Sequence, residues 1–205
     1  MKKIIYLIRH SEQLKLKGIK NVKESTQIEN EKIVLTINGE KMAEELSKMD
    51  ELQDIDSLWS SNYVRAIATA KYIAERNNIL INIDENFGER KLGDLKELLE
   101  LGKTKKFSFT EEQLLDMQLK NKDGESCMEV VIRFMDSLNT ILDSESERVA
   151  IVSHGAAIKF VLKQWCELDK DIKLQYDNEN IELNSPGVVK LEFVDKKINS
   201  IKLLK

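Results

Sequence analysis

Two β-rich apolar runs in this chain are each followed, two positions after the run ends, by a histidine, and the chain has two histidines in all. The first run (residues 3–8) precedes His10, and the second (residues 148–152) precedes His154 and Gly155, where a helix-compatible stretch begins. Strands that lead into helices place their last side chains at the carboxyl edge of an α/β sheet, and ligands bind at that edge. The two runs therefore predict an α/β fold in which both imidazoles lie in one ligand-binding crevice.

The rest of the chain alternates between strand-like and helix-like segments. Further strands are predicted at residues 54–59 and 80–83, a closing hairpin at 188–193 and 198–203, helices at 35–49, 63–76, 111–119, 126–143 and 155–165, and a loop at 13–31. We expect one domain over residues 1–205, with a covering segment inserted at about residues 87–123. The alternation predicts a three-layer α/β/α sandwich with a mostly parallel central sheet.

Composition narrows the classes of protein to consider. Hydrophobic residues make up 41% and charged residues 33% of the chain, which is typical of a soluble globular protein. The net charge of −4 argues against a nucleic-acid partner, and no apolar run approaches the ~20 residues that span a bilayer, so no membrane partner is expected. Cys127 and Cys166 lack a metal-ligand spacing and are interpreted as reduced thiols, which predicts a cytoplasmic location. The oligomeric state stays open.

Charged side chains follow the predicted strands at the same edge of the sheet. Arg9 stands beside His10. Arg65 lies just beyond the second predicted strand, and Glu89 follows the third. Two arginines can hold a phosphate through forked hydrogen bonds, a histidine can attack phosphorus, and a carboxyl group can protonate the leaving oxygen and then take a proton from water. The N–H groups at the start of the helix after Gly155 suit an anion, so the pattern predicts a site for a phosphate monoester.

Four short motifs follow one another along the chain. They are Arg9-His10-Ser11-Glu12, Ser61-Asn62-Tyr63-Val64-Arg65-Ala66-Ile67-Ala68-Thr69-Ala70, Glu89-Arg90-Lys91-Leu92-Gly93 and Ser153-His154-Gly155. Each motif alone is a weak signal, but the four in this order resemble the histidine phosphatase superfamily, in its phosphoglycerate-mutase-like branch. Weaker matches are Leu35-Thr36 with Gly39, and Gly124-Glu125-Ser126 with Arg133. The resemblance covers residues 4 to about 193.

The resemblance implies a role for each matched residue and a phosphoglycerate-mutase-like fold. His10 would be the nucleophile that becomes phosphohistidine, and Glu89 would be the proton donor and acceptor. The phosphate-binding set would be Arg9, Arg65, His154 and Gly155, with His154 also counted as catalytic. No metal and no cofactor is implied, because the cationic side chains supply the electrostatic stabilisation.

Two departures from the family pattern bear on function. Ser11 replaces the usual glycine and brings a Cβ and a hydroxyl group into the phosphate loop, where they would narrow the pocket or add a hydrogen bond. Leu16 stands where many members, mutases included, have an asparagine that contacts the phosphate. This difference and the short chain favour a phosphatase over a mutase.

The expected function is a metal-independent phosphomonoesterase that acts on small phosphorylated metabolites. One alternative is a 2,3-bisphosphoglycerate-dependent phosphoglycerate mutase, whose phosphoenzyme must survive long enough to rephosphorylate a bound intermediate. Another is a non-catalytic binding protein on the same fold, which loss of His10 or of the acid would signal, and both residues are present. The lysines at positions 15, 17, 20 and 23 would either guide a polyanionic substrate or form an ordinary solvated loop.

Overall fold

Nine strands and six α-helices are found in residues 2–15, 27–94 and 107–205, which are the residues that the computed structural model describes. The strands are β1 (Lys2–Arg9), β2 (Ser57–Ser60), β3 (Ile81–Ile83), β4 (Arg148–Ser153), β5 (Glu167–Leu168), β6 (Leu174–Tyr176), β7 (Glu179–Asn180), β8 (Gly187–Val194) and β9 (Lys197–Leu203). The helices are α1 (Gln27–Lys32), α2 (Ile37–Leu46), α3 (Val64–Asn77), α4 (Phe109–Leu115), α5 (Cys127–Asp143) and α6 (Gly155–Leu162).

Six of the strands form the central sheet, in the order β3-β2-β4-β1-β8-β9. The first four strands in this order are parallel, and β8 and β9 add an antiparallel hairpin beside β1. Helices α5 and α6 pack against one face of the sheet, and α2 and α3 pack against the other. The predicted three-layer sandwich with a mostly parallel sheet is therefore confirmed. A small antiparallel sheet of β5, β6 and β7 lies apart from it.

Strand β1 runs through the centre of the core and is buried on both faces. Ile5 and Leu7 pack on the α5 and α6 side, while Tyr6 and Ile8 pack on the α2 and α3 side, and none of the four has exposed surface. An unbroken apolar run is the pattern expected of a strand covered on both faces. Burial of each such side chain contributes about 1.5–3 kcal/mol.

The register between β1 and β4 brings the two histidines together. Arg9 is paired with Ser153 across the parallel ladder, and the His10 N–H group donates to the Ser153 carbonyl at 2.9 Å. His10 and His154 are therefore the first residues beyond the carboxyl ends of two adjacent strands. This is the arrangement that the two apolar runs predict.

Helix α1 lies where the sequence predicts a loop. Its residues show no apolar periodicity, so the local pattern does not reveal a helix. Arg65 donates from Nη1 to the Asn30 carbonyl at 2.6 Å, and the Gln27 side chain donates to the Tyr63 hydroxyl group. A helix this short is marginal by itself, so we attribute its stability to these tertiary contacts. The predicted loop is therefore wrong over Gln27–Lys32.

Of the covering segment predicted at residues 87–123, the structure describes residues 87–94 and 107–123. Its helix α4 spans Phe109–Leu115, whereas the sequence predicts a helix at 111–119. Ser108 and Glu111 form a capping box at its start, which explains the earlier beginning. The sequence does not predict the small sheet of β5 to β7, because strands of two or three residues carry too little alternation to be recognised. No helix in the described ranges is long and apolar enough to cross a membrane.

Candidate active site

A cleft of about 450 Å³ opens at the carboxyl edge of β1 and β4. It is lined by Arg9, His10, Glu12, Gln13, Lys15, Asn30, Arg65, Glu89, Arg90, Leu92, Gly155 and Ser185. Five of the six predicted site residues are in this lining. The sixth, His154, lies against His10 with 5.1 Å between the ring centroids, so the fold brings all six together.

His10 is held as a neutral imidazole with a defined tautomer. Its Nδ1 lies 2.7 Å from the Ser11 carbonyl oxygen. Because a carbonyl oxygen only accepts hydrogen bonds, Nδ1 carries the proton. Burial, followed by the nearby Arg65 cation, lowers the pKa of His10 to about 3. The ring is therefore neutral near pH 7, and Nε2 keeps the lone pair that a nucleophile needs.

Arg65 lies in the first turn of α3 with its guanidinium group directed at His10. Its Nε donates to His10 Nε2 at 3.2 Å, and its Cζ lies 4.8 Å from the centre of the Tyr63 ring. Burial lowers the pKa of Arg65, and the Glu89 carboxylate opposes this effect. A guanidinium group that is only 2% exposed and faces an imidazole lone pair is suited to a phosphoryl oxygen.

Arg9 occupies the other side of the cleft, beside the start of α6. Its Nη1 donates to the Leu183 carbonyl at 2.9 Å, while its Nε is buried and has no hydrogen-bond partner in the described part of the chain. A Cβ added to Gly155 would lie 3.1 Å from that Nε and 3.2 Å from Cζ. Gly155 therefore makes room for the Arg9 guanidinium group.

His154 is fully buried behind His10 and caps the start of α6. The Ser61 hydroxyl group lies 2.7 Å from its Nε2, and its Nδ1 has no hydrogen-bond partner among the residues described. Burial, followed by the His10 ring, lowers the pKa of His154 well below its usual value. Nδ1 is the ring nitrogen left to make the predicted contact with a phosphoryl oxygen.

Glu89 lies in the cleft with its carboxylate at the start of α6. Oε1 accepts hydrogen bonds from the backbone N–H groups of Arg90 at 2.9 Å and Ala157 at 3.1 Å, and Oε2 accepts from Ala156 at 3.4 Å. A helix N-terminus favours a carboxylate. The N–H groups at the start of α6, which the sequence predicts to bind a phosphate, therefore donate to the Glu89 carboxylate in this structure.

The other acidic residues near Glu89 in the sequence are placed elsewhere. Asp84 accepts a hydrogen bond from the Asn86 N–H group at 2.9 Å and caps a short 3₁₀ turn. Glu85 and Asp94 are exposed. None of the three carboxylates is in the cleft lining, so geometry favours Glu89 as the carboxyl group of the site.

Ser11 does not narrow the cleft. Its side chain is fully buried and donates to the Gly39 carbonyl at 2.6 Å, and its N–H group donates to Thr69 Oγ1 at 3.0 Å. The hydroxyl group that replaces a hydrogen atom of glycine therefore ties the loop after β1 to α2. Of the lysines in the basic loop, Lys15 lines the cleft. The other three, at positions 17, 20 and 23, and the leucine at position 16 lie outside the described residues.

Tyr63 is a contact residue that the sequence analysis does not single out. Its ring centroid lies 4.5 Å from that of His154, and its hydroxyl group is hydrogen bonded to Gln27. A Cβ added to Gly88 would lie 3.3 Å from the ring. The sequence could have indicated Tyr63 only as an aromatic residue inside the second motif, two positions before Arg65. Such a residue is more often part of the core than of a functional site.

Four cationic and two acidic side chains are in the lining of the cleft. An excess of positive charge in a partly closed site attracts anions. No group of three or more His, Cys, Asp or Glu side chains that could hold a metal ion is found within the described ranges. The side chains that line the cleft offer an imidazole, four cationic groups and two carboxyl groups.

The neutral buried state of His10 makes stability depend on pH. We expect the free energy of unfolding to fall between pH 7 and pH 5, as measured by urea denaturation at the two pH values. The unfolded chain takes up a proton near the ordinary pKa of 6.5, whereas the folded pKa is about 3. The unfolded state therefore binds more protons in this interval, and stability is lost as the pH falls. The loss from His10 alone is about 2 kcal/mol.

The control for this prediction is the His10→Asn variant, which has no imidazole to protonate. Its loss of stability between pH 7 and pH 5 should be smaller than that of the wild type by about the same 2 kcal/mol. An equal loss in both proteins would show that His10 is not held neutral in the folded state.

Comparison with known families gives one match that covers most of the chain. The family model described as histidine phosphatase superfamily (branch 1) matches residues 5–200. A search of curated proteins finds no match.

Solved structures with the same fold include phosphatases and a mutase. A mycobacterial glucosyl-3-phosphoglycerate phosphatase superposes with a TM-score of 0.72 at 17% identity, over 100% of this chain and 98% of that chain. A phosphoglycerate mutase from Bacillus anthracis superposes with a TM-score of 0.72 at 18% identity, over 99% and 92%. Bacillus stearothermophilus YhfR superposes with a TM-score of 0.69 at 23% identity, over 96% and 94%. These similarities show a shared fold.

Proposed function

Because the chain belongs to the histidine phosphatase superfamily, as the match over residues 5–200 shows, we propose that it is a metal-independent phosphomonoesterase. It acts on small phosphorylated metabolites through a phosphohistidine intermediate on His10. The observation that carries this proposal is the state of His10. The imidazole is neutral, its proton is on Nδ1, and the Nε2 lone pair faces the Arg65 guanidinium group at 3.2 Å.

In the first half-reaction, a phosphoryl oxygen replaces His10 Nε2 as the partner of the Arg65 Nε–H group. The freed Nε2 attacks phosphorus, and the bond from phosphorus to the leaving oxygen breaks as the new N–P bond forms. Glu89 acts in this step in its protonated form, which the second half-reaction restores, and transfers that proton to the leaving oxygen. Arg9 and Arg65 bind the oxygens on which negative charge is spread in the transition state. His154 lies behind His10, and its Nδ1 joins this set once the incoming phosphoryl group shifts the His10 ring and uncovers it.

In the second half-reaction, the Glu89 carboxylate takes a proton from a water molecule as that water attacks phosphorus. The N–P bond breaks, inorganic phosphate leaves and His10 returns to its starting state. Both His10 and Glu89 line the cleft, so water can reach the phosphoenzyme. The leucine at position 16, in place of the asparagine that many members of the family have, supports hydrolysis over transfer to a second substrate molecule.

The size and charge of the cleft support a small anionic substrate. A volume of about 450 Å³ lies within the range for small-molecule sites. Lys15 and Arg90 also line the cleft and add positive charge beyond the two arginines at His10. We also place the enzyme in the cytoplasm, because Cys127 and Cys166 are buried free thiols of the kind expected in a reducing compartment.

The proposal is tested with purified wild type and a panel of phosphate monoesters that includes 3-phosphoglycerate, sugar phosphates and p-nitrophenyl phosphate. We expect release of inorganic phosphate that is unchanged by EDTA, because the charge stabilisation comes from arginines and histidines. The same panel is repeated with 2,3-bisphosphoglycerate added, which is the phosphate donor that a mutase needs.

Three outcomes would overturn the phosphatase proposal. Formation of 2-phosphoglycerate faster than phosphate release would identify a mutase. Loss of activity in EDTA with recovery in Mg²⁺ or Mn²⁺ would contradict the metal-independent mechanism. Binding of phosphate esters without turnover of any of them would indicate a non-catalytic binding protein.

A further inference from the structure

A largely buried ion pair lies behind the segment that carries Glu89. Arg133, in the second turn of α5, donates from Nε to Glu125 Oε1 at 2.9 Å and from Nη2 to Glu125 Oε2 at 3.1 Å. The two side chains are only 18% and 14% exposed. Although burial would raise it, hydrogen bonds and charge from Arg133 hold the pKa of Glu125 below its usual value. Neither residue lines the cleft.

The remaining donors of Arg133 all bind the backbone next to Glu89. Nη1 donates to the carbonyl oxygens of Asn86 at 2.6 Å and Gly88 at 3.1 Å. Nη2 also donates to the carbonyl oxygen of Glu89 itself at 3.2 Å. A planar guanidinium group has five N–H donors in a rigid fork, so it can hold several carbonyl oxygens and a carboxylate in one fixed arrangement.

Glu125 holds the chain on the other side of Glu89. Its Oε2 accepts from the Lys91 N–H group at 2.9 Å, and its own N–H group donates to the Lys91 carbonyl at 2.9 Å. The carbonyl of Glu125 in turn accepts from the buried Gln113 side chain at 2.8 Å. The backbone before and after Glu89 is therefore fixed to the same two residues at the start of α5.

We propose that Arg133 and Glu125 are a positioning pair that sets the Glu89 carboxyl group for proton transfer, an inference that rests on the proposed function. Proton transfer requires the carboxyl group to be within hydrogen-bond distance of the leaving oxygen, and a displacement of about 1 Å can cost ~10²-fold in rate. The Glu89 carboxyl group is tied to α6 by the Ala156 and Ala157 N–H groups. The pair holds the backbone at Glu89 near the start of α5. The two ends of the Glu89 side chain are therefore both fixed, one at α5 and the other at α6.

The test is the Arg133→Lys variant, assayed with glycerol 2-phosphate and with p-nitrophenyl phosphate. Lysine keeps the charge but cannot reproduce the fork. An alkyl leaving group needs the proton from Glu89, whereas p-nitrophenolate needs it far less. We expect kcat/KM for glycerol 2-phosphate to fall by ~10-fold to ~100-fold, while kcat/KM for p-nitrophenyl phosphate falls by less than about 3-fold.

Arg148→Lys is the matched control. Arg148 also donates to three backbone carbonyl oxygens, those of Glu51, Gln53 and Asp54, but it lies at the opposite end of β4 from the cleft. This variant should lower thermal stability without changing the ratio of the two kcat/KM values. It separates a general loss of packing from a specific effect on Glu89.

Glu125→Gln is a second, independent variant, because it keeps the shape of the side chain and removes the charge that holds Arg133. It should shift the substrate ratio in the same direction. In a Glu89→Gln background, Arg133→Lys should have no further effect on the ratio, because the group on which it acts is already lost.

An equal fall for both substrates in Arg133→Lys and Glu125→Gln would overturn the proposal and leave the pair a structural role alone. So would an additive effect of Arg133→Lys in the Glu89→Gln background. If Glu89→Gln itself shows no preference between the two substrates, the assignment of Glu89 as the acid fails and the inference fails with it. The single Glu89→Gln variant therefore distinguishes the two failures.

Discussion

The His10→Ala variant should lose kcat by at least ~10³-fold with every phosphate monoester that the wild type hydrolyses. The reason is geometric, since Nε2 of His10 is an unprotonated ring nitrogen that faces the Arg65 guanidinium group in the cleft. The second histidine cannot replace it without rearrangement, because the ring of His154 has no exposed surface. Steady-state rates with the best substrate from the panel measure the loss.

Trapping of the intermediate identifies the nucleophile directly. The wild type, mixed with a ³²P-labelled substrate and quenched in alkali, should carry label that is stable in base and labile in acid, as expected of a phosphoramidate. His10→Ala should carry none. His10→Asn is the matched control for folding, because its side-chain amide can still donate to the Ser11 carbonyl, and it should also carry none. Label that persists in both His10 variants and disappears in His154→Asn would move the nucleophile to His154.

The Glu89→Gln variant should lose ~10²-fold to ~10⁴-fold of kcat/KM with an alkyl phosphate such as glycerol 2-phosphate. The loss with p-nitrophenyl phosphate should be less than about 10-fold, because p-nitrophenolate leaves without a proton. Glutamine keeps the shape of the side chain and an oxygen acceptor for the Ala157 N–H group but cannot release a proton. The comparison of leaving groups isolates the proton-transfer role from binding.

Two neighbouring carboxylates serve as controls for this prediction. Glu85→Gln changes an exposed residue outside the cleft, and Asp84→Asn changes a cap that still has an oxygen acceptor for the Asn86 N–H group. Both variants should hydrolyse the two substrates in the wild-type ratio. Selective loss of alkyl phosphate activity in either variant, with Glu89→Gln unaffected, would show that the neighbouring carboxylate, and not Glu89, is the proton donor.

The fold and the convergence of the site residues can be predicted from the sequence for a local reason. The apolar run of β1 is continuous because the strand is covered on both faces, and such runs are visible without any tertiary information. Residues that directly follow parallel strands necessarily meet at one edge of the sheet. His10 and His154 could therefore be placed together, although 143 positions separate them.

The missed elements lack such a local signal. Helix α1 has one apolar residue in six, too few to form an apolar stripe, and is held by its contacts with Arg65 and Tyr63. The direction of the Ser11 hydroxyl group also depends on a distant carbonyl, that of Gly39. In each case the partner lies tens of residues away, and no periodicity in the chain records the distance between them.

The sequence by itself determines which residue types meet at the carboxyl edge of the sheet, because the apolar runs mark the parallel strands and these residues directly follow them. Only the tertiary structure decides their chemical states. The Ser11 carbonyl selects the tautomer of His10, and burial keeps the ring neutral. The N–H groups of α6 and the Arg133 guanidinium group hold Glu89 from two directions. Hydrogen-bond geometry and desolvation depend on atoms brought together by packing, and their effects cannot be read from the order of residues along the chain.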